Sequence, residues 1–469
     1  MSDAIVVGSG PNGLAAAAAL AREGLKVTVL EAADTIGGGT RTSELTVPGV
    51  LHDHCSAVHP MGVGSPFLNS LGLKEHGLEW LWPEVDLAHP LDDGSAATLL
   101  KSIEATATGL GPDGRAWRRV FGPSAAVFDK LGEDILRPVI HLPKHPFALT
   151  RFGIPAAMPA SVLSRVWKGD GARALFGGVA AHAFSPLTHP MSSSVGMALI
   201  CACHSSGWAV AKGGSRSITD ALASYVTAKG GTIETGHRVT SLSDLSEASV
   251  VMLDLAPAGV ADIADGRLPA RVERAYRRYK YGPGSFKIDL AVEGGVPWTA
   301  EACRRAGTVH AMGRFEEQVV AERDINHGRM PERPCVLVGQ QYLADPSRSA
   351  GDIHPIWAYA HVPSGYAGDA TETIIGQIER FAPGVRERIV GRFVRSTADM
   401  PAYNANYIGG DIITGANTPI QTVIRPRLAL DPYKTGIPGV FICSAATPPG
   451  AGAHGMNGYN AAKSALNLL

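Results

Sequence analysis

Long apolar runs, surplus charge, paired cysteines and a repeated nucleotide fingerprint are all missing from this chain. No stretch approaches ~18 uninterrupted apolar residues, the length a membrane-spanning helix needs. The formal net charge is -1, so no broad basic field is available to attract nucleic acid. The six cysteines (Cys55, Cys201, Cys203, Cys303, Cys335 and Cys443) form no CxxC pair and no zinc-ribbon spacing. Such thiols fit a reducing, cytoplasmic setting better than a disulfide framework. A strand-like run begins almost at the first residue, which leaves no room for a basic, apolar signal peptide. No second GxGxxG follows a strand downstream, since Gly62-Val63-Gly64-Ser65-Pro66-Phe67 lacks the third glycine. A separate NAD(P)H domain is therefore not expected. What remains is a chain of 469 residues, 45% hydrophobic and 18% charged. That is ordinary for a globular enzyme with two sizeable cores.

The first forty-one residues carry one continuous argument for a bound dinucleotide. Ala4-Ile5-Val6-Val7 has the composition of a buried parallel strand, and Gly8-Ser9-Gly10-Pro11-Asn12-Gly13 follows at once. Gly8 permits the tight turn, Gly10 lets backbone approach a pyrophosphate, and Gly13 lets the helix from Leu14 pack closely on the strand. The helix N-terminus offers unpaired N–H groups and the positive end of its dipole. Lys26 to Leu30 reads as a second strand ending on Glu31, which is placed to accept hydrogen bonds from a ribose diol and to repel a 2′-phosphate. Gly37-Gly38-Gly39-Thr40-Arg41 then brings a second glycine loop toward the same pyrophosphate, an arrangement suited to FAD rather than to a simple NAD dehydrogenase. The alternative for that loop is a surface turn with a solvated arginine.

Downstream the chain alternates between nucleotide-domain pattern and irregular inserts. Residues 1–75, 208–265 and 405–469 read as three parts of an FAD-binding domain, and 76–207 and 266–404 as two parts of a substrate domain. Within the second part, Thr232 to Thr235 and Val239 to Leu242 alternate like strands, and Val250 to Asp254 reads as a buried strand. Within 266–404, Phe286 to Val292, Cys335 to Val338 and Trp357 to Val362 have strand patterns. Gly439 to Ser444 is a short strand that feeds a Gly/Pro-rich loop and then a helix from Tyr459. Such a loop can set backbone N–H groups against a flavin's N1–C2=O edge.

Taken together, GSGPNG, GGGTR and SAATPPGAGAHGMNGYNAAKSAL resemble the phytoene-desaturase-related flavin oxidoreductases, within the broader group that includes amine oxidases. The likeness extends through AKGGSRSITDAL, KYGPGSFKIDLAV, YIGGDIITGA and QTVIRP. It implies an α/β fold, with a Rossmann-like FAD-binding domain, an interleaved mixed-sheet substrate domain and non-covalent FAD. In that frame Gly8, Gly10, Gly13, Glu31, Gly38 and Arg41 match the dinucleotide positions, with Ser9, Asn12 and Gly39 in the same two loops. Val239 matches the residue whose backbone meets the adenine, and Ser444, Met456 and Asn457 lie in the block that meets the flavin. Carotenoid desaturases of the group carry an apolar C-terminal extension, whereas this sequence stops at Leu469, so a carotenoid is not the expected substrate.

Hydride transfer to a flavin asks little of the protein beyond positioning and polarity. His52, Asp53, His54, Cys55 and His59 form the densest polar cluster, in a loop expected to pass over the flavin. His59 or His54 is a candidate acceptor for a substrate proton; the alternative is that Asp53 caps a turn and the histidines pack. The spacing of this cluster matches no zinc pattern, and covalent attachment of flavin through Cys55 is not expected. His454, just before the closing helix, is a third catalytic candidate, or else a loop residue filling space. Trp208 either lines a pocket or packs in a core, and residues 145–167 either graze a membrane or belong to the insert's core. The expected activity is removal of hydride and a proton from a C–C or C–N bond of an apolar or amphipathic small molecule. Oxygen, a quinone or another diffusible acceptor would take the electrons. An amine oxidase, a flavin isomerase and an FAD-binding scaffold are the alternatives.

Overall fold

The computed structural model describes residues 3–245 and 248–468. Two sheets organise it. The first is five-stranded and wholly parallel, in the order Val440–Ile442, Val250–Leu253, Ala4–Val7, Val27–Leu30, Thr232–Glu234. Its strands come from three separated stretches of chain. All but the edge strand Thr232–Glu234 are short, largely apolar runs because a parallel sheet is covered on both faces. Alternate residues of these strands enter different cores. Ala4, Val6, Val27, Val29, Val250, Met252 and Phe441 meet the helices Pro11–Arg22, Arg216–Ala228 and Met456–Leu466. Val7, Leu30, Val251, Leu253, Val440 and Ile442 pack instead with Val260, Ile263, Val272 and Tyr276.

The helix Pro11–Arg22 is buried from Asn12 to Ala21, which explains its run of alanines. Larger side chains would hold away the closing helix, whose Gly458 approaches so closely that a Cβ there would stand 1.9 Å from the Asn12 carbonyl oxygen. Pro11 sits at the first helical turn, where its missing N–H costs nothing.

The second sheet has seven strands, in the order Ile389–Arg395, Gly284–Glu293, Ile353–Val362, Val336–Gly339, Ala306–Ala311, Val85–Pro90, Ala96–Leu99. It is antiparallel apart from the pairing of Ala306–Ala311 with Val85–Pro90. One face buries Ile288, Val336, Val338, Ile356 and Ala358 beneath the helix Thr371–Glu379. The opposite face carries Arg395, Lys287, Tyr359, Leu337 and His310 in register across five neighbouring strands. The helices between residues 103 and 206 close around Trp117, Phe121, Trp167 and Phe176.

Two expectations are corrected. Val239 to Leu242 is not a strand: residues 239–241 are loop and Leu242–Leu245 is a 3-10 turn, since the sheet ends at Thr232–Glu234 and leaves the alternation no partner. The strand expected from Trp357 begins at Ile353 and runs through Pro355. Pro355 pairs with Ala291 on one side only, because Val336–Gly339 reaches no further than Trp357, so no hydrogen bond is forfeited on the open side. Trp208 is a core residue beside Cys201 and Ile200. In the 145–167 segment Phe152 and Trp167 are buried, whereas Phe147 is 91% exposed. No helix among the described residues is long and apolar enough to cross a membrane.

Candidate functional site

The strand order of the parallel sheet reverses beside Ala4–Val7, and ligands of such sheets bind at the C-terminal strand ends at that point. The fingerprint loop lies there. Gly8 has φ +99°, in the left-handed region, and a Cβ on Gly13 would stand 2.1 Å from the Gly8 carbonyl oxygen. A Cβ on Gly10 would meet the Asp254 carboxyl at 2.8 Å. The Gly10 and Asn12 amides have no hydrogen-bond partner among the described residues, and neither has the buried Asn12 Oδ1. The two free backbone N–H groups at a helix N-terminus fit the phosphates of a dinucleotide.

Glu31 is held in place by that same loop. Its Oε2 accepts the Ser9 amide at 2.9 Å and the Ser9 hydroxyl at 2.5 Å, and its Oε1 accepts the Ala33 amide at 2.9 Å. Ser9 thus positions the acid, and both of its donors are spent inside the protein. The second glycine loop closes on the first: the Gly37 amide donates to the Ser9 carbonyl at 3.1 Å, and a Cβ on Gly38 would stand 3.0 Å from the Gly10 Cα. Arg41 is not a solvated turn residue. It donates to the Thr35 carbonyl at 2.8 Å, reaches Glu31 at 3.5 Å and lies over the Tyr403 ring. Tyr403 donates to the Gly38 carbonyl at 2.7 Å, and Gly39 leaves room for the Tyr407 hydroxyl, which a Cβ would meet at 2.2 Å.

Val239 packs against Val7 and Leu30, and its backbone N–H and C=O have no partner among the described residues. A loop amide left open beside the Glu31 strand can serve a purine edge. At the other end of the site, the Ser444 carbonyl accepts the Thr447 amide at 2.9 Å, and Asn457 Nδ2 donates to the Thr447 carbonyl at 2.8 Å. Asn457 therefore pins the 444–447 turn, while its Oδ1 stays buried without a partner. Met456 has its side chain in the core and its amide capped by His454 Nδ1 at 3.1 Å.

The three candidate histidines have different surroundings. His59 Nε2 is bonded to the Ser215 hydroxyl at 2.8 Å, and burial pulls its pKa down to about 4. His454, the helix cap, is likewise lowered to about 4 by burial, and its carbonyl accepts the Ser65 hydroxyl. His54 pairs with the Ser43 hydroxyl through Nε2 at 2.7 Å, while its Nδ1 is buried and unpartnered. Burial, then the charges of Arg395 and Lys287, bring His54 to about 4. Asp53 does not cap a simple turn. It accepts the Ser215 amide at 2.7 Å and pairs with the buried Arg348, which also meets Asp345. Burial alone would raise Asp53, but Arg348 and these hydrogen bonds hold it below the usual carboxylate range.

Sequence reasoning missed three groups. Asp254 belongs to the fingerprint, although only its place at a strand end marks it. Lys287 is buried against Asp289 and lies 5.9 Å from the Trp357 ring centroid; burial lowers its pKa. Trp357 donates to the Cys55 carbonyl at 3.1 Å, so this face of the second sheet meets the 54–57 loop. Glu322, Cys335 and His361 are buried with donor atoms within 4.8 Å of one another, and His361 Nδ1 is 2.5 Å from Glu322.

Residues 6–69 match the family model described as an NAD(P)-binding Rossmann-like domain. The chain is 24% identical over 98% of its length to the rat (Rattus norvegicus) pyridine nucleotide-disulfide oxidoreductase domain-containing protein 2, covering 92% of that protein. It is 29% identical over 51% of its length to hydroxyneurosporene desaturase of Cereibacter sphaeroides, covering 50% of it. Among solved structures, an oxidoreductase from Methanosarcina mazei matches with TM-score 0.62 at 16% identity over 99% of both chains. Putrescine oxidase matches with TM-score 0.60 at 17% identity, over 100% of this chain and 98% of that one. The fingerprint defines a Rossmann-type dinucleotide-binding domain, and the whole chain shares its fold with putrescine oxidase.

Proposed function

We propose that this protein holds FAD non-covalently across the C-terminal strand ends of its parallel sheet and oxidises a C–C or C–N bond of an apolar or amphipathic small molecule. The observation that carries this reading is the convergence of three chain segments on one sheet edge. The Gly10 and Asn12 amides, the Gly37–Gly39 loop and the open Val239 backbone all lie along it. The 444–457 block adds a rigid turn at the far end. Bound FAD would supply hydride acceptance, which the protein's own side chains cannot provide.

The chain's residues position and exclude. Trp357, Tyr359, Leu337 and Phe184 form an apolar wall beside the 54–57 loop, suited to an oily substrate. His54, neutral at pH 7 and with a free ring nitrogen, is the residue assigned to proton handling. His59 and His454 hold the loop and the closing helix. Cys55 is buried with its thiol pKa raised, so it is a poor nucleophile for flavin attachment. Residues 1–75, 208–265 and 405–469 form the cofactor domain of this reading, and 76–207 and 266–404 the substrate domain. Oxygen, a quinone or another diffusible acceptor takes the electrons.

Purified protein should show a flavin band near ~450 nm that a substrate bleaches without oxygen. Colourless protein overturns the cofactor. Peroxide release with an amine selects the amine oxidase, and bound flavin that no alkene or amine bleaches selects an isomerase or a scaffold.

A further inference from the structure

The strand Val250–Leu253 ends on a carboxyl group that stands inside the fingerprint itself. Asp254 is buried, and its Oδ2 accepts the Gly13 amide at 3.0 Å. A Cβ on Gly10 would meet that same oxygen at 2.8 Å, so the carboxyl lies against both Gly10, where backbone approaches a pyrophosphate, and Gly13, where the helix begins. Its backbone is fixed on both sides. Its own amide donates to the Val7 carbonyl at 2.8 Å, and its carbonyl accepts Asn406 Nδ2 at 3.0 Å.

The groups around it supply no positive charge. The Glu31 carboxylate acts on it from the end of Val27–Leu30, two strands away across Ala4–Val7, and the buried Cys443 thiol follows the edge strand, its ionisation opposed by burial and by Asp254. No ion pair forms to Asp254 among the described residues, and Arg41 of the second glycine loop is engaged with Glu31 and Thr35. Burial, opposed by the Gly13 amide and reinforced by Glu31, brings the carboxyl to about 7. A bound dinucleotide adds phosphate charge to the loop this group touches, and like charges in a buried site disfavour ionisation further.

We propose that Asp254 is a cofactor-binding residue that carries a proton in the dinucleotide complex, so that binding takes up a fraction of a proton at neutral pH and approaches one proton above it. The inference rests on the FAD reading of this site. Proton linkage then makes affinity fall with rising pH, by up to about tenfold per unit for one proton. Asp254→Asn keeps an acceptor for the Gly13 amide and has nothing to titrate.

The test is equilibrium dialysis of the holoenzyme between about pH 6 and pH 9, read by flavin absorbance, with calorimetry of FAD binding in two buffers of different ionisation heat. The expected result is a Kd that rises at least about tenfold for the wild type above neutrality, and less than about threefold for Asp254→Asn, with close to one proton taken up per flavin. Equal slopes for the two proteins, or no proton uptake by the wild type, overturn the proposal. If the variant does not fold, the proton count on the wild type decides alone. A protein that binds no flavin at any pH overturns the cofactor reading and this inference with it; a bound flavin with a flat Kd overturns this inference only.

Discussion

Gly13 lies so close to Gly8 that a β-carbon on the first would stand 2.1 Å from the carbonyl oxygen of the second. The atom in the way is backbone, so nothing flexible can yield. Gly13→Ala should cost more than about 2 kcal/mol of stability, in the range of overpacked cores. It should also strip the purified protein of its flavin band. Thermal unfolding and an absorbance spectrum check both outcomes.

Arg348 and Asp53 form a second contact between distant segments, at 2.5 Å with both side chains buried. Arg348 also pairs with Asp345, so Arg348→Met leaves two buried carboxylates uncompensated and should cost about 3–5 kcal/mol. Removing both charges with Asp53→Asn and Arg348→Met should cost less than the arginine substitution alone. Denaturant titration of the two variants tests this. Because Asp53 is held below its ordinary value of 3.8, its stabilising contribution is present above that value and is lost as pH falls below it.

Glu31 gathers the Ser9 amide and hydroxyl and the Ala33 amide. Glu31→Ala frees the fingerprint loop and removes the ribose acceptor. Hydrogen bonds to a charged group contribute about 1.5–3 kcal/mol, so flavin affinity should weaken roughly 10- to 150-fold. Fluorescence of released FAD measures the change.

His54 is separable from its neighbours. His54→Gln should slow anaerobic flavin bleaching by about 100-fold or more while the flavin band is retained. The wild-type rate should be level above about pH 5 and fall as His54 takes a proton near about 4. A variant that bleaches at the wild-type rate removes His54 from the mechanism.

Acid should unfold the protein through histidines held neutral. His59, His89 and His454 are buried, and burial lowers each to about 4 from an ordinary 6.5. Between those values the unfolded chain binds protons that the folded one refuses, so stability falls as pH falls through this window. Each group contributes about 1.4 kcal/mol per pH unit there. A melting temperature that is unchanged between pH 6.5 and pH 4 contradicts this.

The nucleotide fold was legible because its constraints are local. Six consecutive residues, Gly8 to Gly13, encode a turn, a close approach and a helix start, and the apolar strands on either side need no distant information. Val239 shows the limit: its alternating neighbours look like a strand, yet no strand lies beside them. The reaction face was less legible because its contacts join distant segments. Asp254 is 241 residues from the Gly13 amide it accepts, and Arg348 is 295 from Asp53. A histidine's fate depends on the same kind of meeting. His59 reads as a base until Ser215, 156 residues on, takes its ring nitrogen.

The edge strand of the parallel sheet is Val440–Ile442, and the helix that packs on Pro11–Arg22 is Met456–Leu466. Synthesis runs from the N-terminus, so the fingerprint emerges from the ribosome long before the pieces that complete its surroundings. The surroundings of the fingerprint are therefore completed only once residues 440–466 have been made. Any N-terminal fragment ending before residue 440 carries the fingerprint glycines without the edge strand beside Val250–Leu253.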